Sequence, residues 1–442
     1  MWRDPRGFQL LFRPMNHESS ADTPADSTSA DSTPDDWRPE SSVHASNDAS
    51  SDDASASDLA VERVQIDGID DEILRLLNRR VEWALRVGAK KQKLGKPLHD
   101  PTRERLIYER LRAANARHQG ALPAVAVTSI YREIISACRN AEHATRVAFL
   151  GPSGTNTQEA AVQYFGSAFE PLPCATPDEI CAAVLRGARQ NAPHEAGTTA
   201  GTTNASNTSL GSESRRADYG VIAIENSIEG IVSSNLDLLA SSDLTICAEV
   251  ELTIHHCLLS NTEIGRITRI YSHPHALAQC RNWLLSHLPE ATLVPVSSTA
   301  RGAEMATRED GAAAIGAPLA ANIYSLQIAA SGIEDMPNNK TRFFVIAPSN
   351  HRPQASGRDK TSLAFLVPHK PGALVEVLGV FQKHGLNLLM IQSRPSRQAA
   401  WEYRFFTDLQ AHRDDPNLQA ALRDLEGCTV SVKVMGSYPE AE

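Results

Sequence analysis

Three cations share the apolar stripe of one helix-forming segment. Arg63, Arg80 and Lys91 continue a row made by Ile66, Ile69, Ile73, Leu77, Ala84 and Val87, which recur at helical spacing over residues 59–94 with no proline among them. Arg80 takes the slot between Leu77 and Ala84, and Lys91 follows about three turns later, nearly in register. A buried ion without a partner costs on the order of several kcal/mol even after relaxation. No acidic residue shares the stripe, so the simplest partner is an anionic ligand held among helices. Arginine forks suit its carboxylates, and a lysine suits a single oxygen. Asp100, Arg103 and Glu104 form a second polar cluster, spaced to lie on one face of the next helix.

The middle of the chain places its polar motifs at strand ends. Gly151-Pro-Ser-Gly-Thr155 follows a strand and opens a helix, where backbone N–H groups and the helix dipole favour an anion. It matches neither a Walker A loop nor a dinucleotide fingerprint. Ile224-Glu225-Asn226-Ser227 ends a strand. Tyr271-Ser272-His273-Pro274 ends another and leads into a helix carrying Gln279. Asn339-Lys340-Thr341-Arg342-Phe343 enters a third. His273 and His275 lack an acidic or cysteine partner at ligand spacing, so neither a metal nor a cofactor is expected. Further on, Pro371-Gly372-Ala373-Leu374-Val375 opens a helix and Ile391-Gln392-Ser393-Arg394-Pro395 ends a strand.

These motifs fall in three folded blocks. The chain has 442 residues and a net charge of −10. Residues 1–58 are rich in Ser and Asp, lack periodicity and carry 4 basic and 12 acidic residues, so most of that charge belongs to a tail expected to be disordered. The remainder is close to neutral and shows no basic footprint for nucleic acid. No run approaches the ~18 apolar residues of a membrane span. The 7 cysteines are scattered without a C-x-x-C pair, which points to reduced thiols and a cytoplasmic location.

Residues 59–144 read as three helices, over 59–94, 101–116 and 123–142. The first spans about 54 Å, and three helices so unequal cannot cover one another's apolar faces. An intertwined homodimer is expected, with room for a higher homo-oligomer. Residues 145–348 alternate strand and helix, as in an α/β sheet, interrupted by a polar insertion at 190–216 that is expected to be disordered. A linker at 349–360 precedes residues 361–442, whose strand–helix–strand–strand–helix–strand order is the ferredoxin-like, α+β pattern.

With Arg63, Arg80, Lys91, Asp100, Arg103 and Glu104 in place, residues 63–142 resemble the all-helical chorismate mutases. The resemblance implies that Arg80 and Arg63, the latter from a partner subunit, grip the two carboxylates of chorismate. It also implies that Lys91 bonds the ether oxygen, Arg103 supports the site, and Asp100 and Glu104 hold the hydroxyl side. Cys138 and Glu142 match positions that are Ser and Gln or Glu in that family. The reaction needs no nucleophile; it needs a folded substrate and stabilised charge on the breaking C–O bond. A Glu142 facing that oxygen must be protonated to donate, so a raised pKa is expected.

Residues 146–348 resemble prephenate dehydratase, the Thr-Arg-Phe tripeptide being the most specific match. The resemblance implies two α/β lobes flanking a cleft, Thr341 as the catalytic hydroxyl, and Asn226 and Gln279 in the cleft. Ser153, Thr155, Thr157, Glu225, Ser227 and Arg342 are weaker substrate-binding candidates. Asn156 and His275 depart from the family pattern. The last block resembles the amino-acid-binding ACT domain through Gly372, Ala373, Leu374 and Val375 and through Gln392, Ser393, Arg394 and Pro395, with Gln392 in place of the usual Glu. The implied effector is L-phenylalanine. Together the blocks resemble the bifunctional chorismate mutase/prephenate dehydratases. A dehydratase preferring arogenate is the near alternative; a silent amino-acid sensor would lack both the helical cations and Thr341.

Overall fold

The computed structural model describes residues 50–94, 99–191, 215–395 and 403–441. The expected insertion at 190–216 thus lies almost wholly outside the described residues, as does the tail up to residue 49. Ile69–Glu442 pack as one unit, distinct from the segment ending at Gly68.

Helix α1 runs Ser50–Lys93, α2 Pro101–Arg117 and α3 Ala124–Glu142. The sequence pattern places the start of α1 at residue 59; the helix begins earlier, at Ser50. Pro101 sits in the first turn of α2 behind the N-cap Asp100. Helices α2 and α3 pack together. Along α1, by contrast, Ile69, Ile73, Trp83 and Val87 are all about half exposed, at 58%, 48%, 56% and 49%.

The α/β block supplies β1 (Arg146–Leu150), α4 (Asn156–Phe165), β2 (Glu170–Cys174), α5 (Pro177–Asn191), β3 (Tyr219–Asn226), β4 (Gly230–Ile231), α6 (Ser233–Ser241), β5 (Leu244–Thr253) and β6 (Cys257–Leu259). It continues with β7 (Arg269–Ser272), α7 (Pro274–Gln279), α8 (Arg281–His287), β8 (Thr292–Pro295), α9 (Thr299–Ala306), β9 (Ala312–Gly316), α10 (Pro318–Tyr324), β10 (Ile328–Ser331) and β11 (Lys340–Pro348). The C-terminal block is β12 (Asp359–Leu366), α11 (Ala373–Lys383), β13 (Leu388–Pro395), β14 (Tyr403–Leu409), α12 (Pro416–Leu425) and β15 (Ser431–Pro439).

Two sheets form two lobes. The smaller has the order β10-β6-β9-β7-β8; the larger runs β13-β14-β12-β15-β5-β11-β3-β1-β2, with β4 paired to β3. The chain enters the smaller lobe after β5 and returns on β11, so β11 lies between β5 and β3. The larger sheet crosses a domain boundary: β15 of the ferredoxin-like block pairs with β5 through Gly436 and Ile246. A side chain at 436 would collide with the Ile246 carbonyl oxygen, so only glycine allows the strands to meet there.

Both faces of the central strands are covered. Phe343 and Val345 of β11 pack with Phe149, Phe165 and Val250 on one face. Phe344 and Ile346 pack on the other with Ala364, Phe406, Met435 and Tyr438 of the C-terminal block. That is why β11 reads as a continuous apolar run rather than an alternating one.

The segment 349–360 is not a free linker. The Thr102 hydroxyl donates to the Gln354 carbonyl at 2.7 Å, and buried His351 meets the Tyr219 ring edge-on. Helix α3 is likewise tied to the α/β block, with the Ser167 amide donating to Glu133 at 3.0 Å and the Ala168 amide to Ser136 at 3.1 Å. No helix among the described residues is long and apolar enough to cross a membrane, and all 7 cysteines are free thiols.

Candidate active sites

The first site gathers where α1 passes α3. Arg80 donates through Nη1 to the Cys138 sulfur at 2.7 Å. One turn beyond Cys138 stands Glu142, half-buried, with Lys91, Arg139, Arg80 and Glu104 as its charged neighbours. Burial raises the Glu142 pKa, and the three cations only partly oppose it. A Cβ at position 88 would stand 2.8 Å from Glu142 Oε2. Gly88 therefore lets that carboxyl lie against the backbone of α1. A mid-helix glycine costs about 1 kcal/mol relative to alanine, so Gly88 is itself a sequence signal, though an uncharged one.

The other helical candidates take different parts. Asp100 accepts the Arg103 amide at 3.0 Å and caps α2. Arg103 is exposed. Glu104 faces the seam with the α/β block, where Arg139 Nη1 donates to it at 2.8 Å. Burial alone would raise the Glu104 pKa, but His99 and Arg139 bring it down to about 2. His99 is itself buried, which lowers its pKa, and its Nε2 is 3.5 Å from Glu104, too long for a strong bond. The charge that holds Glu104 is therefore Arg139, which also donates to the Phe165 carbonyl at 2.5 Å. Sequence reasoning misses Arg139, because only the fold brings α4 beside α3. Arg63 lies on α1 in the segment ending at Gly68 and is exposed.

The second site lies between the two lobes. Asn226 and Thr341 are opposed on the adjacent strands β3 and β11. Asn226 Nδ2 donates to Thr341 Oγ1 at 2.8 Å and to Asn339 Oδ1 at 2.7 Å. The orientation of the Asn226 amide is determined: its Oδ1 already accepts the backbone amides of Ile228 and Glu229 at 2.9 and 3.0 Å. Thr341 is 9% exposed. Its oxygen accepts from Asn226, so its proton is available to another acceptor.

Asn339 carries the network to the other lobe, its Nδ2 donating to Gln279 Oε1 at 3.2 Å. Gln279 Oε1 also lies 2.8 Å from His256 Nε2, which assigns the proton to that nitrogen. Glu334 holds the His256 backbone amide at 2.9 Å. The structure thus brings Thr341, Asn226 and Gln279 together, with Asn339 and His256 beside them. Asn339 is visible within its motif; His256 lies between β5 and β6, outside every motif that the sequence pattern marks.

The weaker candidates divide. Ser227 ties the turn after β3 to β11, its hydroxyl accepting the Lys340 amide at 2.9 Å. Thr155 caps α4, and its hydroxyl donates to the Leu150 carbonyl at 2.8 Å. Ser153 accepts the Tyr324 hydroxyl through its carbonyl at 2.8 Å. Thr157 is buried and Glu225 half-buried. His275 pairs with Glu229 at 2.6 Å. Arg342 is a correction. As the neighbour of Thr341 on a strand it emerges on the opposite face, where Glu249 and Asp408 hold it at 2.7 Å. It does not join the Thr341 group.

In the C-terminal block Gly372, Ala373, Leu374 and Val375 line a cavity of about 230 Å³ together with Val367, His369, Tyr403 and Phe405. Gly372 precedes α11 at φ +82°, a left-handed conformation that favours glycine. Gln392, Ser393, Arg394 and Pro395 do not line this cavity. Arg394 turns to the α/β block and pairs with Asp237 of α6 at 2.8 Å, while Gln392 bonds the Ser393 carbonyl at 3.2 Å.

Comparison with known proteins agrees with this layout. Family models match in three stretches: chorismate mutase type II at residues 62–143, prephenate dehydratase at 147–196 and 188–351, and the ACT domain at 361–427. A bifunctional chorismate mutase/prephenate dehydratase of Aquifex aeolicus is 42% identical over 381 residues, covering 86% of this chain and 97% of that protein. One from Neisseria gonorrhoeae is 40% identical, over 86% and 96%. The crystal structure of prephenate dehydratase from Arthrobacter aurescens in complex with L-Phe superposes with a TM-score of 0.57 at 34% identity, covering 67% of this chain and 90% of that one.

Proposed function

This chain belongs to the bifunctional chorismate mutase/prephenate dehydratases, and we propose that its two reactions run on the two residue groups above. It serves phenylalanine biosynthesis, rearranging chorismate to prephenate and converting prephenate to phenylpyruvate. The observation that carries the assignment of roles is the fixed Asn226 amide donating to Thr341 Oγ1. It leaves the threonine O–H free to hydrogen-bond the departing hydroxyl of prephenate, which leaves as water with a proton drawn from solvent. Gln279 and Asn339 close the polar side of the cleft. The aromatic ring formed on loss of the carboxylate as carbon dioxide supplies the driving force.

In the helical site Arg80 takes a substrate carboxylate and Lys91 the ether oxygen, where charge builds as the C–O bond breaks. Protonated Glu142 is a second donor to that oxygen. Arg63 acts from a partner subunit. The half-exposed apolar residues of α1 support a homodimer in which each α1 packs against its copy. L-Phenylalanine is the effector, supported by the cavity beside Gly372 and by the L-Phe complex of the Arthrobacter protein. Free thiols throughout fit a cytoplasmic location.

The test supplies chorismate and follows phenylpyruvate with and without phenylalanine, with arogenate offered as a competing substrate. Phenylpyruvate should form from chorismate, prephenate should be preferred, and phenylalanine should slow the second step. Prephenate accumulating without phenylpyruvate would leave only the mutase.

Glu142 gives a pH prediction. Its donor form is the protonated one, and its pKa is raised. Mutase kcat/KM should therefore be highest on the acid side and fall as pH rises through that pKa. Glu142→Gln, a donor at every pH, should remain active in the alkaline range where the parent declines. A parent profile that stays flat from mildly acid to mildly alkaline pH would eliminate the role.

A further inference from the structure

Next to Thr341, on the far side of β11, lies a buried four-charge cluster that neither reaction uses. Arg342 Nε and Nη2 both donate to Glu249 Oε2, at 2.8 and 2.7 Å, and Nη1 reaches Asp408 Oδ2 at 2.7 Å. Nη2 also lies 3.2 Å from the Tyr438 hydroxyl. The second oxygen of Glu249 accepts Lys360 at 2.7 Å and the Ala441 amide at 2.9 Å. The second oxygen of Asp408 accepts Ser362 at 2.6 Å, and Ser362 meets Tyr438 at 2.7 Å. Two cations balance two anions, and the carboxylate oxygens are all engaged. Glu249 is 5% exposed, Asp408 1% and Tyr438 0%.

The ownership of these groups matters. Arg342 and Glu249 belong to the dehydratase strands β11 and β5; Lys360, Ser362, Asp408, Tyr438 and Ala441 all belong to the C-terminal block. Adjacent strand residues project to opposite faces, so the guanidinium held by the C-terminal block and the Thr341 hydroxyl in the cleft share one stretch of backbone. The pairing of β11 with β3 also shifts register between Arg342 and Phe343. The strand is thus irregular beside the catalytic hydroxyl, which is where a pull on residue 342 would be felt.

We propose that Arg342 is a positioning residue for Thr341, and that its grip by Asp408 makes the dehydratase cleft responsive to the C-terminal domain. A movement of β14 or β12 shifts the guanidinium. Since interactions this short and this buried have little slack, β11 follows, and the Thr341 oxygen moves relative to the Asn226 amide. Misplacement by about 1 Å can cost on the order of a hundredfold in rate. The two sites need no direct contact, only one strand whose placement both bias. This rests on Thr341 acting in prephenate turnover.

The test is the paired substitution Arg342→Gln with Asp408→Asn in the full-length chain, which keeps the cluster neutral and close in shape while cutting the tether. Prephenate kcat should fall by about tenfold or more with KM little changed. The phenylalanine concentration for half-inhibition should rise by about fivefold or more, and mutase turnover by the same preparation should be unaltered. A lower melting temperature with parental kcat and parental phenylalanine response would mark the cluster as structural only and overturn the proposal. Should the pair be recovered insoluble, Arg342→Lys keeps the charge but cannot hold both carboxylates, and the same readings decide. If the parent protein itself turns over no prephenate, the assignment of Thr341 fails instead, which is a separate result.

Discussion

Replacing Thr341 by alanine should cut prephenate turnover by about two to three orders of magnitude and leave chorismate consumption at the parental rate. The size follows from what is removed. The hydroxyl oxygen is already bonded to Asn226 at 2.8 Å, and the amide orientation of Asn226 is enforced by two backbone donors. The cleft therefore offers one directed proton at this position, with no flexible substitute. Alanine leaves Asn226 Nδ2 with Asn339 as its remaining acceptor, and the leaving hydroxyl must depart unassisted. Serine restores the oxygen without the methyl group that restrains its rotamer, so Thr341→Ser should recover most of the loss. The measurement is kcat on prephenate for both variants, with mutase rate as the internal control. A Thr341→Ala enzyme within about fivefold of the parent would remove the hydroxyl from the mechanism.

Lys91→Ala should be as damaging to the other reaction. The barrier there is charge developing on an oxygen, and loss of one preorganised donor typically costs about two to three orders of magnitude. Prephenate supplied directly should still be converted at the parental rate. Mixing exposes the shared site. If Arg63 serves the partner's pocket, a dimer of one Arg63→Ala and one Lys91→Ala subunit holds one intact site and one doubly impaired site. Random reassortment of the two inactive proteins should then regain about a quarter of parental mutase activity, as expected for a twofold dimer. No recovery in preparations shown to contain mixed dimers would confine each site to its own subunit.

Several of these residues are legible in the amino-acid sequence alone. Thr341 and Asn226 stand in short polar motifs at strand ends and Gln279 on the helix that follows another, and the three converge through Asn339. Arg80 and Lys91 are legible because charge on an apolar stripe demands a reason, and Glu142 through the family resemblance alone. Arg342 and Arg394 mislead for a common cause. Alternation along a strand says which neighbours share a face, but not what packs on it; here that is Asp408 for one and Asp237 for the other. The family resemblance places Glu104 at the substrate, and Arg139 holds it at a domain seam that no local pattern foretells. Strand β2 is obscured because two of its five residues are prolines; it lies at a sheet edge, where the missing donors are tolerated. The order of the central strands is illegible because β11 returns between β5 and β3 after the whole second lobe has intervened.

The meeting of β15 and β5 at Gly436 bears on how such enzymes can be rebuilt. A regulatory domain joined by a flexible tether is interchangeable: another can be grafted on, or none. Here the sheet of the α/β block is extended by the C-terminal block through one glycine, and Arg342 and Glu249 on one side meet Asp408 and Lys360 on the other. A transplanted sensor would have to bring that glycine in register, together with a lysine and an aspartate at the seam. Recombination can therefore trade this domain only along with its border.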